Sequence, residues 1–560
     1  MTPSWRASFL FTALVLGFSM LILRLVYWQI ISADRLGKAA AGQHFVELTV
    51  PASRGELMDR GGNPIVVNQP AFLVYGEPRN IKNVTEFSKI VADALLLDKD
   101  ELVNKLSQPN LVWVPLAHKV ELPQVQALRA LDIAGLGFEK EPKRFYPEAS
   151  MAAHLLGFVG SDVNGADVGY FGLEGYYDRQ LRGVDGSMRL EKDAHGAPIL
   201  IGSEERLPPE DGRTLTLHID KAAQQLVERR LKEGITRYGA KEGSVVVMDP
   251  QTGGILAMAS FPNYDPRNYA QFDKSLYKNP IVGSSYEPGS TFKALIMAAA
   301  INEKLITPDT TMDETGPVQI GPYMIRTWNN EYNGKISMTE VLEHSSNVGM
   351  VFVAQKLGRE KLLAAIRKFG FGKLTNIDLE DEASPELRPD KDWAVVDEYT
   401  ASFGQGIAVT PIQMVRALGA LANGGKMMEP HVVKEIKDAK GKVTTVQPKV
   451  VNQVVSAETA RIVTEMMVAA VDNGEAKWAK PKGYRVAGKT GTAQIPVAGH
   501  YDATKTIASF VGFAPADKPR FVMLVTLREP TSSPWGSETA APLFFIIARD
   551  LFTYWGIPPQ

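Results

Sequence analysis

The chain has 560 residues, 45% of them hydrophobic and 22% charged, with a formal net charge of -2 at pH 7. That is an ordinary globular composition for about two to four domains, and the near-zero charge gives no electrostatic footprint for nucleic acid. There are no cysteines, which excludes disulfides, a thiol nucleophile and cysteine-ligated metal sites.

Residues 7 to 23 carry no charge, and after Arg24 the stretch 25–31 stays mostly apolar. As one helix it is long enough to cross a hydrocarbon core of ~30 Å. Arg24 can snorkel, and Tyr27 and Trp28 suit an interface. A cleaved signal peptide would have a shorter apolar core with small residues directly after it, whereas Ala39-Ala40-Ala41 lies further on. The reading is therefore an uncleaved transmembrane anchor over 8–31, a short tail over 1–7, and everything of substance on one side of a lipid bilayer. Arg6 flanks one end and Arg24, Arg35 and Lys38 the other, so the positive-inside rule leaves the orientation open.

Residues 32–214 read as a non-catalytic module of short strands and helices. The segments 56–60 and 64–67 about Gly61-Gly62-Asn63 predict a hairpin, and apolar spacing predicts helix within 83–106 and 122–131. No metal or phosphate motif stands here, and no internal repeat. A second domain, 215–560, opens with an amphipathic helix over 221–237, then strands over 244–249 and 255–260. Further strands come only near the end, at 485–486, from Lys489 through Thr492, at 507–513 and at 520–527, before a closing helix over 540–554. The sequence between is mostly helical, including 361–369, 411–421 and 457–471. An antiparallel sheet drawn from both ends of a domain, with a helical subdomain inserted, is an α+β architecture.

Inside this domain Tyr286-Glu287-Pro288-Gly289-Ser290-Thr291-Phe292-Lys293 leads into a run through Ile301 that is apolar on every side. Such a helix is buried. Ser290 and Lys293 are three residues apart and share a face. A serine at a helix start with a half-buried amine one turn on is the geometry of an activated nucleophile, the lysine taking the hydroxyl proton. The competing reading makes Ser290 an N-cap and sends Lys293 to solvent. The same pattern also occurs at Ser275-Leu276-Tyr277-Lys278.

Two later signals separate the pair. Ser345-Ser346-Asn347 begins 55 residues after Ser290, and Lys489-Thr490-Gly491-Thr492 begins 144 residues after Ser345. Lys-Thr-Gly arises by chance about once in ten such chains, and the ordered set is that of β-lactamases and penicillin-binding proteins. An acyl-transfer site needs a nucleophile, a base and oxyanion donors. Ser290 supplies the first and Lys293 the second, its proton affinity lowered by burial and by Lys489. Ser345 can relay a proton to the leaving amine. Asn347 can orient Lys293 with its carbonyl and hold substrate with its amide. Thr490 and Thr492 hydroxyls suit a terminal carboxylate, Gly491 leaves room for substrate, and the N–H groups of Ser290 and Thr492 suit an oxyanion. There is no Gly-x-Ser-x-Gly elbow and no His-Glu-x-x-His, so a hydrolase triad and a zinc protease are unsupported. No cofactor or metal is expected.

Over nearly its whole length the chain resembles class B penicillin-binding proteins, the bacterial peptidoglycan D,D-transpeptidases. Besides the three motifs, the likeness takes in Arg54-Gly55, Asp59-Arg60-Gly61-Gly62, Arg144-Phe145-Tyr146-Pro147, Gly172-Leu173-Glu174-Gly175, Asp249-Pro250, Thr252-Gly253, Gly404-Gln405-Gly406, Thr410-Pro411 and Ala487-Gly488. It implies a D-Ala-D-Ala stem-peptide substrate, acylation of Ser290 by β-lactams, and a catalytic domain outside the cytoplasmic membrane. It also implies a membrane-embedded glycan polymerase and other division proteins as partners. The chain end soon after the closing helix, the short pedestal, Ala540-Ala541-Pro542 and Gly556-Ile557-Pro558-Pro559 resemble the septal branch, with the elongation branch as the alternative. A β-lactamase would need a general base for a deacylating water, for which no glutamate is placed. A non-enzymatic sensor or scaffold would fit a broken site, and all the motif residues are present. One departure is Gly474-Glu475-Ala476, where relatives often carry threonine in place of Glu475; by sequence it lies outside the proposed site.

Overall fold

The structure, a computed structural model, describes residues 5–36, 45–108, 111, 113–162, 165–191, 204–497 and 500–559. Residues 1–4 of the expected tail, Lys38 and Ala39-Ala40-Ala41 lie outside the described residues. Trp5–Val26 is an α-helix that buries none of its side chains, and it ends in a π-helical turn over Tyr27–Ile31. The span Trp5–Ile31 is long and apolar enough to cross a membrane. The Arg24 guanidinium lies 5.2 Å from the Trp28 ring centroid, a cation–π contact near the end of the span.

The chain forms two compact units, residues 1–53 with 183–211 and residues 54–182 with 212–560. The first holds an antiparallel sheet in the order Phe45–Val50, Gly186–Glu191, Glu204–Leu207. In the second, the expected hairpin forms between Leu57–Met58 and Pro64–Gly76. The helical stretch over 83–106 is two helices, Val84–Leu95 and Lys99–Leu106. Leu96 turns left-handed at φ 56°, and Asp98 caps the second helix by accepting from Glu101 N–H. Apolar spacing carries on across that break and hides it.

The expected boundary at 214/215 falls inside a strand, Thr214–Leu217. That strand pairs in parallel with Leu57–Met58 and antiparallel with Val433–Lys437. Leu215 and Leu217 point inward and are fully buried, while their neighbours are only partly covered, as strand alternation requires. Nearby, three motifs that are far apart in sequence converge. Glu174, fully buried, accepts from Arg54 Nε at 2.6 Å and from Arg144 Nε at 2.7 Å. Arg54 also reaches Asp178 at 2.7 Å, and Arg144 donates to the Gly55 carbonyl at 2.7 Å. A buried carboxylate held by two guanidinium groups is tolerable only as a complete set.

The catalytic half is built on five antiparallel strands: β1 Glu242–Met248, β2 Ile255–Phe261, β3 Ala487–Val497, β4 His500–Ala514 and β5 Phe521–Arg528, in the order β2-β1-β5-β4-β3. Helices cover both faces. Val245 and Val247 pack with α1 (Lys221–Tyr238) and the closing helix Ala540–Tyr554. Val246 and Met248 pack into the core of the inserted helices, with Leu295, Val415 and Val463. Alternation by two therefore serves two cores, which is why these strands are apolar throughout. Among the inserted helices, the expected helix over 361–369 is the second part of Asn347–Lys368, which breaks at Gly358 (φ 72°).

Glu174→Ala strands two buried arginines and is expected to lower stability by about 3–5 kcal/mol. The thermal midpoint of the detergent-solubilised chain reads this; a fall of less than about 2 °C would remove the cluster from that role.

Candidate active site

Ser290 sits in a tight 3-10 turn, Gly289–Phe292, directly before α2, Lys293–Asn302. It is not a helix cap. Thr291 Oγ1 donates to the Pro288 carbonyl at 2.6 Å and closes the turn from inside. Gly289 is left-handed at φ 54° and donates its N–H to the Gly404 carbonyl at 3.0 Å. Gly404 is itself at φ 79°, and a Cβ there would lie 2.2 Å from the Gly289 oxygen. The turn carrying Ser290 thus rests on a second glycine backbone. Every α2 residue from Lys293 to Ile301 is buried, as its all-round apolarity predicts. The look-alike pair Ser275 and Lys278 is exposed.

The second motif lies between two helices, Met338–Glu343 and α3, Asn347–Lys368. Ser346 is the N-cap of α3, accepting from Gly349 N–H and donating to the buried Glu314 carboxylate. That leaves Ser345 and Asn347 for the cleft. Ser345 is a non-glycine residue at φ 53°, a sparsely populated conformation that a surrounding structure must impose. Lys293 Nζ donates to the Ser345 carbonyl at 2.5 Å and to Asn347 Oδ1 at 2.9 Å, with Ser345 Oγ at 3.3 Å. The Asn347 amide donates to the Arg326 carbonyl at 3.0 Å, which fixes the side chain.

The third motif lies within β3, the sheet's edge strand. Lys489 Nζ, also buried, donates to Ser345 Oγ at 2.9 Å and to Thr490 Oγ1 at 3.1 Å. Ser345 Oγ is thereby shared between two lysines. Thr492 Oγ1 accepts from Gly536 N–H at 3.0 Å. The missing side chain of Gly491 has a structural reason besides room for substrate: a Cβ would lie 2.5 Å from Ser509 Oγ and 2.7 Å from Thr291 Cγ2. Glycine lets β3 lie against the Ser290 turn.

A cavity of about 230 Å³ opens between these pieces, lined by Ser290, Ser345, Asn347, Thr490, Gly491 and Thr492 together with Glu475. Lys293 and Lys489 lie beneath its wall. Burial, reinforced by the charge of Lys489, holds the Lys293 amine well below the usual lysine range, while Glu475 and Glu314 pull the other way. Burial brings Lys489 down to about 8, again opposed by Glu475. The placement of Glu475 outside the site is therefore wrong. The segment carrying it follows the long helix Ala457–Asn473, and nothing in the local sequence shows that the helix ends beside the cleft. Gln405, from the Gly404-Gln405-Gly406 motif, lines the cavity too, and Trp328, Phe403, Trp535 and Thr506 do so without a motif to announce them. A larger cavity of about 1100 Å³, lined by Arg60, His218 and Arg520 among others, contains no residue of the three active-site motifs. Among the described residues, no group of three His, Asp or Glu side chains is gathered to hold a metal ion.

A buried lysine bonded to a serine and an asparagine beneath a serine turn, with a second lysine on the sheet edge, is the arrangement expected of the penicillin-binding class. Residues 243–552 match the penicillin binding protein transpeptidase domain, and residues 49–217 match the penicillin-binding protein dimerisation domain. The chain belongs to this family, as a class B penicillin-binding protein. It is 35% identical to stage V sporulation protein D of Bacillus subtilis over 98% of this chain and 85% of that one. It is 30% identical to the peptidoglycan D,D-transpeptidase FtsI of Escherichia coli over 100% of this chain and 93% of that one. The crystal structure of penicillin-binding protein 3 of Mycobacterium tuberculosis complexed with aztreonam superposes with a TM-score of 0.71 at 27% identity, covering 92% of this chain and 98% of that one.

Gly404→Ala should push the Gly289 backbone away and misplace Ser290. Labelling by a fluorescent penicillin is expected to slow about a hundredfold. Labelling at the parental rate would show that the glycine contact does not position the serine.

Proposed function

We propose that this chain is a peptidoglycan D,D-transpeptidase that cross-links stem peptides through an acyl-enzyme on Ser290. The observation that carries the reading is the setting of Lys293. As a neutral amine it has two N–H groups, matched by the Ser345 carbonyl and Asn347 Oδ1, and one lone pair left for a hydroxyl proton. Ser290 Oγ attacks the carbonyl joining the two terminal D-alanines as Lys293 takes its proton. The oxyanion is held by the N–H groups of Ser290 and Thr492. Ser345, bonded by both lysines, passes the proton to the departing D-alanine nitrogen, and that C–N bond breaks. Lys489, Thr490 and Thr492 receive the terminal carboxylate. An amine from a second stem peptide then attacks the ester, and Ser290 recovers its proton. A β-lactam enters the first half of this sequence and stays bound.

The apolar Trp5–Ile31 helix supports a single-pass membrane protein, and membership of the penicillin-binding family supports a catalytic domain outside the bacterial cytoplasmic membrane. The septal reading rests on the Ala540-Ala541-Pro542 start and Gly556–Pro559 end of the closing segment, and it brings a membrane glycan polymerase and division proteins as partners. The 35% identity to a stage V sporulation protein favours a second setting, wall synthesis during sporulation. Depletion in the host separates the readings: filaments for septation, rounded cells for elongation, and normal growth with failed sporulation for the second.

Ser290→Ala should form no covalent penicillin adduct, and Lys293→Ala should acylate about 10²- to 10⁴-fold more slowly. Acylation at the normal rate without Lys293 would overturn the mechanism. The pH dependence has a definite sign. Protonation of Lys293 removes the base, so acylation rises with pH through the depressed Lys293 value. Lys489→Gln deletes a neighbouring positive charge, which makes Lys293 easier to protonate. The acid limb of the acylation profile should therefore move to higher pH by about one unit; an unmoved limb would uncouple the two lysines.

A further inference from the structure

A transpeptidase must admit two substrates, and the structure offers a second chamber beside the first. A cavity of about 320 Å³ adjoins the catalytic one and shares two lining residues with it, Trp328 and Glu475. Its other ionisable lining groups are Glu314, Glu331, Glu343, His344 and Lys477. Three of the four carboxylates have partners. Glu314 accepts from Ser346 and Asn333, Glu331 from Asn329 at 2.7 Å, and Glu343 from Asn473 at 2.6 Å. Glu475 is exposed and, among the described residues, makes no hydrogen bond or ion pair within 4 Å. Among the described residues it is also the one charged residue lining the catalytic cavity. Two exposed indoles, Trp328 and Trp478, line the second chamber with it. A free carboxylate with aromatic faces around it suits an ammonium group.

We propose that Glu475 determines specificity for the acyl acceptor, receiving a primary ammonium that enters from the second cavity and disfavouring an amine with a carboxylate beside it. The inference rests on the transpeptidase reading and adds the half-reaction which that reading leaves without residues. The acceptor arrives as an ammonium at Glu475 and gives one proton to water. Its nitrogen then forms a bond to the acyl carbon while the Ser290 ester C–O bond breaks. One of its two remaining N–H protons passes through Ser345 and Lys293 to Ser290 Oγ, and the other stays on the new amide. Departing D-alanine takes up one proton from water, so the cycle balances. An anion facing the cleft also repels an acceptor that brings its own carboxylate, whereas the donor's carboxylate is met by Lys489 and the threonines of β3.

The test uses the detergent-solubilised full chain with a D-alanyl thioester as donor. D-Alaninamide and D-alanine serve as competing acceptors, and the ratio of the two aminolysis products is read against free acid. The parent should prefer D-alaninamide. Glu475→Gln should reduce that preference about fivefold, the size of a partly exposed charge interaction, and Glu475→Asp should keep most of it. An unchanged preference in Glu475→Gln would overturn the inference. So would a variant that loses only thioester hydrolysis in the absence of acceptor, since that marks Glu475 as a base for water. No thioester turnover in the parent would instead overturn the transpeptidase reading itself, and this inference with it.

Discussion

An amine with no exposed surface must be surrounded by acceptors or give up its proton, and Lys293 imposes that choice on everything around it. Its helix is apolar on every side, so no carboxylate on α2 can share its charge. Its polar contacts come from the far side, from the Ser345 backbone and the Asn347 side chain. Ser345 can present both its carbonyl and its hydroxyl there because its backbone is left-handed, and Ser346 takes over the capping of α3. Lys489 then closes the set by bonding the same hydroxyl from the sheet edge. Two lysines whose proton affinity is lowered by burial are thereby joined through one serine, in positions fixed by packing.

The sheet provides the rigidity this needs. Its central strands send alternate side chains into two separate cores, one under the terminal helices and one under the inserted helices. The nucleophile turn approaches β3 closely because Gly289 and Gly491 offer no Cβ at that contact, and it rests on Gly404 for the same reason. A loosened core on the inserted side would move Ser290 and Ser345, whereas one on the terminal side would move β3. Cleft geometry therefore reports on both cores.

Most of the chemistry was legible in the sequence because it depends on residue type in a fixed order: Ser290 and Lys293 by helical spacing, then Ser345, Asn347 and Lys489 by motif. The buried helix after Lys293 and the alternating strands were legible because periodicity is local. Glu475 was not, since one exposed glutamate after a helix has no pattern, and its importance comes from where the helix stops. Trp328 and Trp535, 5.0 Å apart by ring centroid, reach the cleft from segments more than two hundred residues apart and leave no spacing to read. Arg54, Arg144 and Glu174 were visible as parts of family patterns, but their common purpose needed three dimensions. The break at Leu96 was hidden because apolar spacing runs straight through it.

The strand Thr214–Leu217 has a consequence for how the protein can be made. It lies between Leu57–Met58 on one side and Val433–Lys437 on the other, so one sheet joins early and late parts of the chain. Both pairings are highly non-local, and the one with Val433–Lys437 closes only after most of the chain has emerged. Until then Thr214–Leu217 presents an unpaired edge, the kind that invites pairing with another chain. A fragment that begins after Leu217 would carry the same hazard permanently, with the edge of Val433–Lys437 uncovered. The segment before the enzyme thus supplies strands to a sheet that the later chain by itself would leave with an open edge.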